Sequence, residues 1–404
     1  VGRLFAYSSW FTISDRDDRE KNAKGKHFFS KRHPRPHLSL SPGEIKDGRV
    51  WDNQRRPETS LICPFTCPAA FTIKHRALGV RRGVSAVRDS RAENQRKEQM
   101  TDAPTILDGK KLSQAVARTL NKKINTLEPT VGRPPGLAVI LVGENPASKT
   151  YVAAKHRFAK ECGVRTFDIK LPDNVSEREL TQLISDLNTN REVDGILLQL
   201  PLPKPLDGAH FTRMIAPEKD ADGLHPLNQG LLMQGLPAPR SCTPLGVMTM
   251  IDLALSGVSL TDTTTLDDIP RASLAGKSAV VIGRSQLVGK PVGFLLLERN
   301  ATVTFAHSKT HDLPAVCRAA DIVVAAVGVP LLVKREWVRP GAIVIDVGIN
   351  RTDDGKLVGD VDYDAVASMT SAITPVPGGV GPMTVAMLMS NTVENYERRN
   401  GIQP

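Results

Sequence analysis

The first 99 residues contain no methionine, and all nine methionines lie from Met100 onward. Aromatic residues make up only 4% of the chain, yet two of the three tryptophans fall in that opening stretch. No apolar run approaches the ~18 residues that would span a membrane. Five cysteines at irregular positions form neither a disulfide framework nor a structural zinc site. Cys63 and Cys67 stand as one C-x-x-x-C without a second pair and read as unpaired thiols, which suits a reducing, cytoplasmic setting. Acidic excess is lacking too, and the formal charge is +10. That surplus is confined: residues 1–99 hold 21 basic and 11 acidic side chains, and the remainder holds 32 of each. Beyond residue 99 there is no bulk charge that would attract nucleic acid.

The opening stretch also lacks a period. Phe5, Trp10, Phe11, Phe28, Phe29 and Trp51 follow neither helical nor strand spacing, and six prolines interrupt them. A disordered basic arm, an organelle-targeting segment and sequence upstream of the true start are the three readings. Asp15, Asp17, Asp18 and Glu20 argue against targeting, because such segments are poor in acids. The absent methionines favour a start at Met100.

From Met100 the pattern changes. Leu107–Leu127 reads as an amphipathic helix, and Leu137–Val142 and Val193–Leu200 as buried strands. Between those strands the spacing predicts a helix over 148–162, a strand over 165–170 and a helix over 176–190. A second alternation runs through 278–283, 301–307, 321–328 and 342–348. Residues 201–246, rich in Pro and Gly, read as connections. Strands alternating with helices imply βαβ units and parallel sheets. The expected fold is therefore α/β, with two α/β domains and a cleft between them. One domain spans 100–241 and is completed by 375–404; the second, spanning 242–374, is Rossmann-like.

Ser278–Gly283 is a strand that ends in Gly283-Arg-Ser-Gln-Leu-Val-Gly289 before a helix over 292–299. Such a turn lets backbone N–H groups meet a pyrophosphate at a helix N-terminus. The fingerprint is imperfect, since Ser285 replaces the middle glycine and the last glycine is displaced. An acid is missing where an NAD site places one on the ribose; the chain reads His307-Ser308-Lys309-Thr310 instead. With Arg284 nearby, this cationic, hydroxyl-rich corner favours NADP over NAD.

On the helix over 148–162, Tyr151, Lys155, Phe158 and Cys162 share one face. A lysine in that stripe either snorkels to the surface or is desolvated, with a lowered pKa suited to proton transfer. Gln199 ends its strand where active-site groups collect, and either holds Lys155 or caps the strand. Lys219-Asp-Ala-Asp222-Gly223 lacks the later Glu of a calcium loop, and no metal is expected. Its carboxylates can equally bind the N–H groups of a heterocycle. Pro375–Pro382 is a rigid loop of little side-chain bulk that leads into a helix.

Taken in order, these segments closely resemble the bifunctional methylenetetrahydrofolate dehydrogenase/cyclohydrolase family. They run from Val142–Ser148 with Tyr151–Lys155, through Asp194–Pro203, Lys219–Gly223, Cys242–Gly246, Gly283–Ser285, Val288–Gly289 and His307–Thr310, to Asp346–Asn350 and Pro375–Thr384. The resemblance covers essentially 102–398. It implies NADP-dependent oxidation of 5,10-methylenetetrahydrofolate, then hydrolysis of the methenyl product to 10-formyltetrahydrofolate, without a metal. It assigns Lys155 as general acid/base, Gln199 as its partner, Tyr151 as the stacking ring and Asp222 as the pterin anchor. Leu198, Leu200, Pro377, Gly378, Gly379 and Gly381 should line the folate site. Gly283, Arg284, Ser285, Gly289, Ser308 and Ile349 should contact NADP. Tetrahydrofolate derivatives are the expected partners, within a homodimer, with neither nucleic acid nor membrane. A shikimate-type NADP dehydrogenase would explain Gly283–Gly289 but not Tyr151 and Lys155 with Pro377–Thr384. A nucleic-acid-binding protein would have to act through residues 1–99.

Overall fold

The structure, a computed structural model, describes residues 103–402, and of 146–151 it describes the backbone alone. The expectations for residues 1–99 lie outside the described residues.

In chain order the strands are β1 (Thr105–Ile106), β2 (Gly136–Val142), β3 (Arg165–Leu171), β4 (Gly195–Gln199), β5 (Ser278–Ile282), β6 (Thr302–Ala306), β7 (Ile322–Ala325), β8 (Ala342–Asp346), β9 (Asn350–Arg351), β10 (Leu357–Val358) and β11 (Thr370–Ile373). The helices that frame the site are α1 (Gly109–Val131), α2 (Pro146–Cys162), α3 (Glu177–Thr189), α4 (Cys242–Ser256), α5 (Gly289–Glu298), α6 (Leu313–Arg318) and α7 (Val380–Arg399).

Two parallel sheets result. The smaller has the order β3-β2-β4, with β2 buried along its whole length. A strand covered on both faces reads as an unbroken apolar run, which is why Gly136–Val142 shows no alternation. The larger has the order β1-β11-β8-β7-β5-β6. Its first strand, β1, comes from the start of the described chain and pairs parallel with β11 near the far end.

Helix ends follow local chemistry. The Asp108 side chain accepts from the backbone N–H groups of Lys110 and Lys111 and starts α1; Gly132, at φ 83°, ends it. Ser176 and Glu179 form a capping box on α3.

The connection over 201–246 is more ordered than its composition suggests. It carries short helices at Gly208–Thr212 and Pro226–Met233 and delivers α4, whose first turn includes Pro244. Helix α4 is apolar nearly all round, so it shows no amphipathic stripe.

Helix α7 packs along α4 and α1 and reaches β2 and β4. Its last turn is fastened by Asp194, a fully buried carboxylate. Arg399 and Arg133 bind Asp194 at 2.7 and 2.6 Å, and the Gly136 N–H donates to it at 2.9 Å. The Tyr396 hydroxyl donates to the Arg133 carbonyl at 2.8 Å.

Candidate active site

Helix α2 carries Lys155 against the end of β4. The side chain is 4% exposed, and Nζ donates to Gln199 Oε1 at 3.1 Å. Gln199 Nε2 donates in turn to the Leu200 carbonyl at 2.9 Å, so the amide is locked with its oxygen toward the lysine. Burial lowers Lys155 to about 8, with Asp222 and then Cys242 pulling in the opposite direction. Burial also raises the Asp222 carboxyl; the neighbouring Lys155 opposes that rise and Asp220 adds to it. A lysine near 8 offers both an ammonium and a free amine around neutral pH. The snorkelling alternative is removed by this burial.

The turn that presents Asp222 is built by its neighbours. Asp220 accepts from the Gly223 and His225 N–H groups and from Asn228 Nδ2 at 2.8–3.0 Å. Lys219 donates away from the site, to the Leu187 and Asn190 carbonyls at the end of α3. Of the three charged residues in Lys219–Gly223, Asp222 alone neighbours Lys155.

Two contributors had no assigned role in the sequence. Cys242, the first residue of α4, donates its thiol to the Ala221 carbonyl at 3.2 Å, and its own N–H bonds the Asp222 carbonyl. Asn391 on α7 donates to the Ala221 and Arg240 carbonyls. Both fasten the turn that carries Asp222. Cys242 lay within a motif already in view, whereas nothing marked Asn391.

Next to this cluster lies a cavity of about 540 Å³, within the usual range for small-molecule sites. Ala154 and Phe158 of α2, Lys110 and Ser113 of α1, Val347–Ile349 after β8 and the Pro375–Pro382 loop wall it. The loop rests on α1, where the Gly109 N–H donates to the Gly378 carbonyl at 2.9 Å. Pro377, Gly378, Gly379, Gly381 and Ile349 are thus brought together. The Leu198 and Leu200 side chains are not; they pack beneath the small sheet with Phe211 and Ile184. Lys155 does not wall this cavity but points from the same helix toward Gln199. Tyr151 lies one turn before Lys155 on the α2 backbone.

At the edge of the large sheet, β5 and β6 end side by side, and the Gly283 N–H donates to the Ala306 carbonyl at 2.8 Å. Arg284 and Ser308 follow these two ends and are both exposed. Gly283 has φ 128°, and a Cβ there would lie 2.3 Å from the Ala326 oxygen. A Cβ on Gly289 would meet the Gly283 carbonyl oxygen at 2.5 Å. Ser285 Oγ accepts from the Val288 and Gly289 N–H groups at 3.1 and 3.3 Å, closing the turn onto α5. The backbone here is bare and helix-ended, which fits a dinucleotide pyrophosphate.

Two family models match the chain. Residues 107–222 match the catalytic domain of tetrahydrofolate dehydrogenase/cyclohydrolase, and residues 241–400 match its NAD(P)-binding domain. The chain belongs to the tetrahydrofolate dehydrogenase/cyclohydrolase family. Bifunctional protein FolD of Geotalea daltonii is 50% identical over 294 residues, covering 73% of this chain and 99% of that protein. The crystal structure of the bifunctional FolD enzyme of Campylobacter jejuni is 44% identical, with a TM-score of 0.67, and covers 74% of this chain and 100% of that one. The Trypanosoma brucei dehydrogenase-cyclohydrolase, solved with NADP cofactor and an inhibitor, is 38% identical with a TM-score of 0.65; the match covers 74% of this chain and 99% of that one. Membership of this tetrahydrofolate dehydrogenase/cyclohydrolase family displaces the shikimate-type reading. Among the described residues no helix is long and apolar enough to cross a membrane, and no group of three or more His, Cys, Asp or Glu is placed to hold a metal.

Proposed function

We propose that this enzyme runs its two folate reactions with Lys155 as the proton carrier. The observation that carries the reading is a buried ammonium, lowered to about 8, held by Gln199 and neighbouring Asp222. In the hydrolytic step a water attacks the methenyl carbon, and the free amine of Lys155 takes one of its protons. As the bond from that carbon to N5 breaks, the Lys155 ammonium returns a proton to N5. The remaining hydroxyl proton leaves to solvent as the formyl carbonyl forms on N10. Gln199 keeps Lys155 oriented, Asp222 anchors the pterin N–H groups, and Tyr151 stacks on the folate ring. The Pro377–Gly381 backbone flanks the folate, and Ile349 contacts NADP. Leu198 and Leu200 contribute through their backbone.

NADP is the cofactor, and when bound it supplies the hydride acceptor. Gly283, Ser285 and Gly289 shape the pyrophosphate turn, while Arg284 and Ser308 offer charge and a hydroxyl to a 2′-phosphate. The folate half is 100–241 with 375–404, and the cofactor half is 242–374. The protein works in the cytoplasm as a homodimer and binds no nucleic acid. Among the described residues β6 is an edge strand and exposes Phe305, which supports self-association, because unpaired strand edges invite pairing.

The deciding experiment supplies purified protein with 5,10-methylenetetrahydrofolate and either NADP+ or NAD+. NADPH and 10-formyltetrahydrofolate should both accumulate, with NADP+ the more efficient acceptor. Equal efficiency with both nucleotides would overturn the assignment of Arg284 and Ser308. Absence of the formyl product would overturn that of Lys155.

A further inference from the structure

Two buried carboxylates stand at the C-terminal edge of the large sheet, and the reading above gives neither a task. Asp346 ends β8 and is 3% exposed; Asp360 follows β10 and is fully buried. Backbone and amide donors satisfy them. Asp346 accepts from the N–H groups of Gly348, Asp360 and Val361, each at 2.9 Å. Asp360 accepts from the N–H groups of Val327 and Gly328 at 2.7 and 3.0 Å, and from Asn350 Nδ2 at 3.0 Å.

These bonds join the loops after β7 and β8, where open α/β sheets bind their ligands. The β7 loop begins at Ala326, on whose carbonyl Gly283 of the pyrophosphate turn rests. The β8 loop contributes Val347, Gly348 and Ile349 to the cavity wall. The arrangement carries a cost, since burial and the nearby Asp360 raise Asp346 to about 7. Packing leaves no slack around either group. A Cβ on Gly348 would lie 2.1 Å from Asp360 Oδ1, and one on Gly359 would lie 1.8 Å from Asp346 Oδ2. Buried like charges are a poor source of stability, so their use at a ligand-facing rim points to alignment.

We propose that Asp346 and Asp360 are positioning residues for hydride transfer, holding the β7 and β8 loops so that the nicotinamide meets the folate in line. This rests on the reading that Ile349 and the glycine turn contact NADP. Hydride transfer depends on the mutual placement of two rings, and an error near 1 Å can cost ~10²-fold. Ring opening uses no cofactor and draws on Lys155 in the other half. The pair therefore acts on one reaction and spares the other, the reverse of what is expected at Lys155.

The test uses full-length Asp360→Ala and Asp360→Asn proteins, because Asp360 is fully buried and does not wall the cavity. Asn keeps an oxygen for Val327 and Gly328 but weakens the bonds by removing charge. Asp360→Ala should lower dehydrogenase kcat/KM by roughly 30-fold with a raised KM for NADP+, leaving cyclohydrolase activity within about 3-fold. Asp360→Asn should recover most of the loss yet remain about 3- to 10-fold down in the dehydrogenase alone. If Ala at 360 prevents folding, the Asn protein carries the same comparison. Equal loss of both activities, or an Asn protein indistinguishable from the unmodified enzyme, overturns the proposal. Titration of the unmodified protein with NADP+ separates the two failures: no binding there would sink the underlying cofactor reading instead.

Discussion

Lys155 and Lys219 are both withdrawn from water, at 4% and 1% exposure, and burial lowers each to about 8. Their surroundings differ in kind. Lys219 donates to two backbone carbonyls at the C-terminal end of α3, at 2.8 and 2.7 Å, where a helix leaves acceptors unmet. Those oxygens are fixed and take no proton. Lys155 donates to the Gln199 side chain and neighbours the Asp222 carboxylate, on two further segments of chain. A lowered lysine pKa therefore does not by itself mark a catalytic group; the nature of the partners does.

Replacing each lysine by methionine is the sharpest way to break this comparison. Lys155→Met should cut cyclohydrolase activity by ~10²–10⁴-fold, leave some dehydrogenase activity and let the methenyl compound accumulate. If both activities fall equally while folate and NADP+ still bind, Lys155 is not specific to ring opening. The pH profile sharpens the contrast next. Cyclohydrolase kcat/KM in the unmodified enzyme should climb about 10-fold from near pH 7 toward pH 9, following the free amine of Lys155. A flat profile would remove the base role. Stability should change in the same direction: from about 8 to 10.5 the unfolded chain binds a proton that the folded lysine does not, so rising pH stabilises the fold.

Lys219→Met should give the opposite signature. The buried Leu187 carbonyl loses its donor at about 1–3 kcal/mol, and the part-buried Asn190 carbonyl loses one of two, lowering the unfolding temperature by several degrees. The activity per folded molecule should stay unchanged, and a selective loss of ring opening would make the two lysines equivalent after all. The smallest effect is expected from a protein that begins at Met100. The charge surplus and the want of methionine are both confined to residues 1–99, so activity and thermal unfolding should match those of the whole chain. A clear drop in either measurement would show that the opening segment packs on the enzyme.

How much of this was legible depended on whether each pattern was local. The runs around β2, β4, β5, β7 and β8 announced themselves, because strands covered on both faces are continuously apolar. Strands β1 and β11 did not, since two and four residues carry no period and their pairing joins distant parts of the chain. Helix α4 went unread, its first turn taken into the connection over 201–246 and the rest given no element, because an apolar surface all round shows no stripe. In the site, Lys155 stood out as a charge within an apolar face, and Gln199 as a polar end to an apolar strand. The division of labour within Lys219–Gly223 could not be read, because Lys219 finds its acceptors about thirty residues earlier in the chain. Asn391 was invisible for the same reason, reaching Ala221 across 170 residues.

That distance has a consequence for how the chain becomes a protein during synthesis. Asp194 is buried with its carboxylate shared between Arg133, made early, and Arg399, made more than two hundred residues later. Depriving a buried ion pair of one partner costs about 3–5 kcal/mol. The β3-β2-β4 sheet thus leaves the ribosome with Asp194 short of one arginine and its face toward α7 uncovered. It closes only once α7, at the end of residues 241–400, has been translated. Residues 107–222 leave the ribosome first, yet the helix that covers their sheet is among the last parts made, so the earliest segment is among the last to be completed.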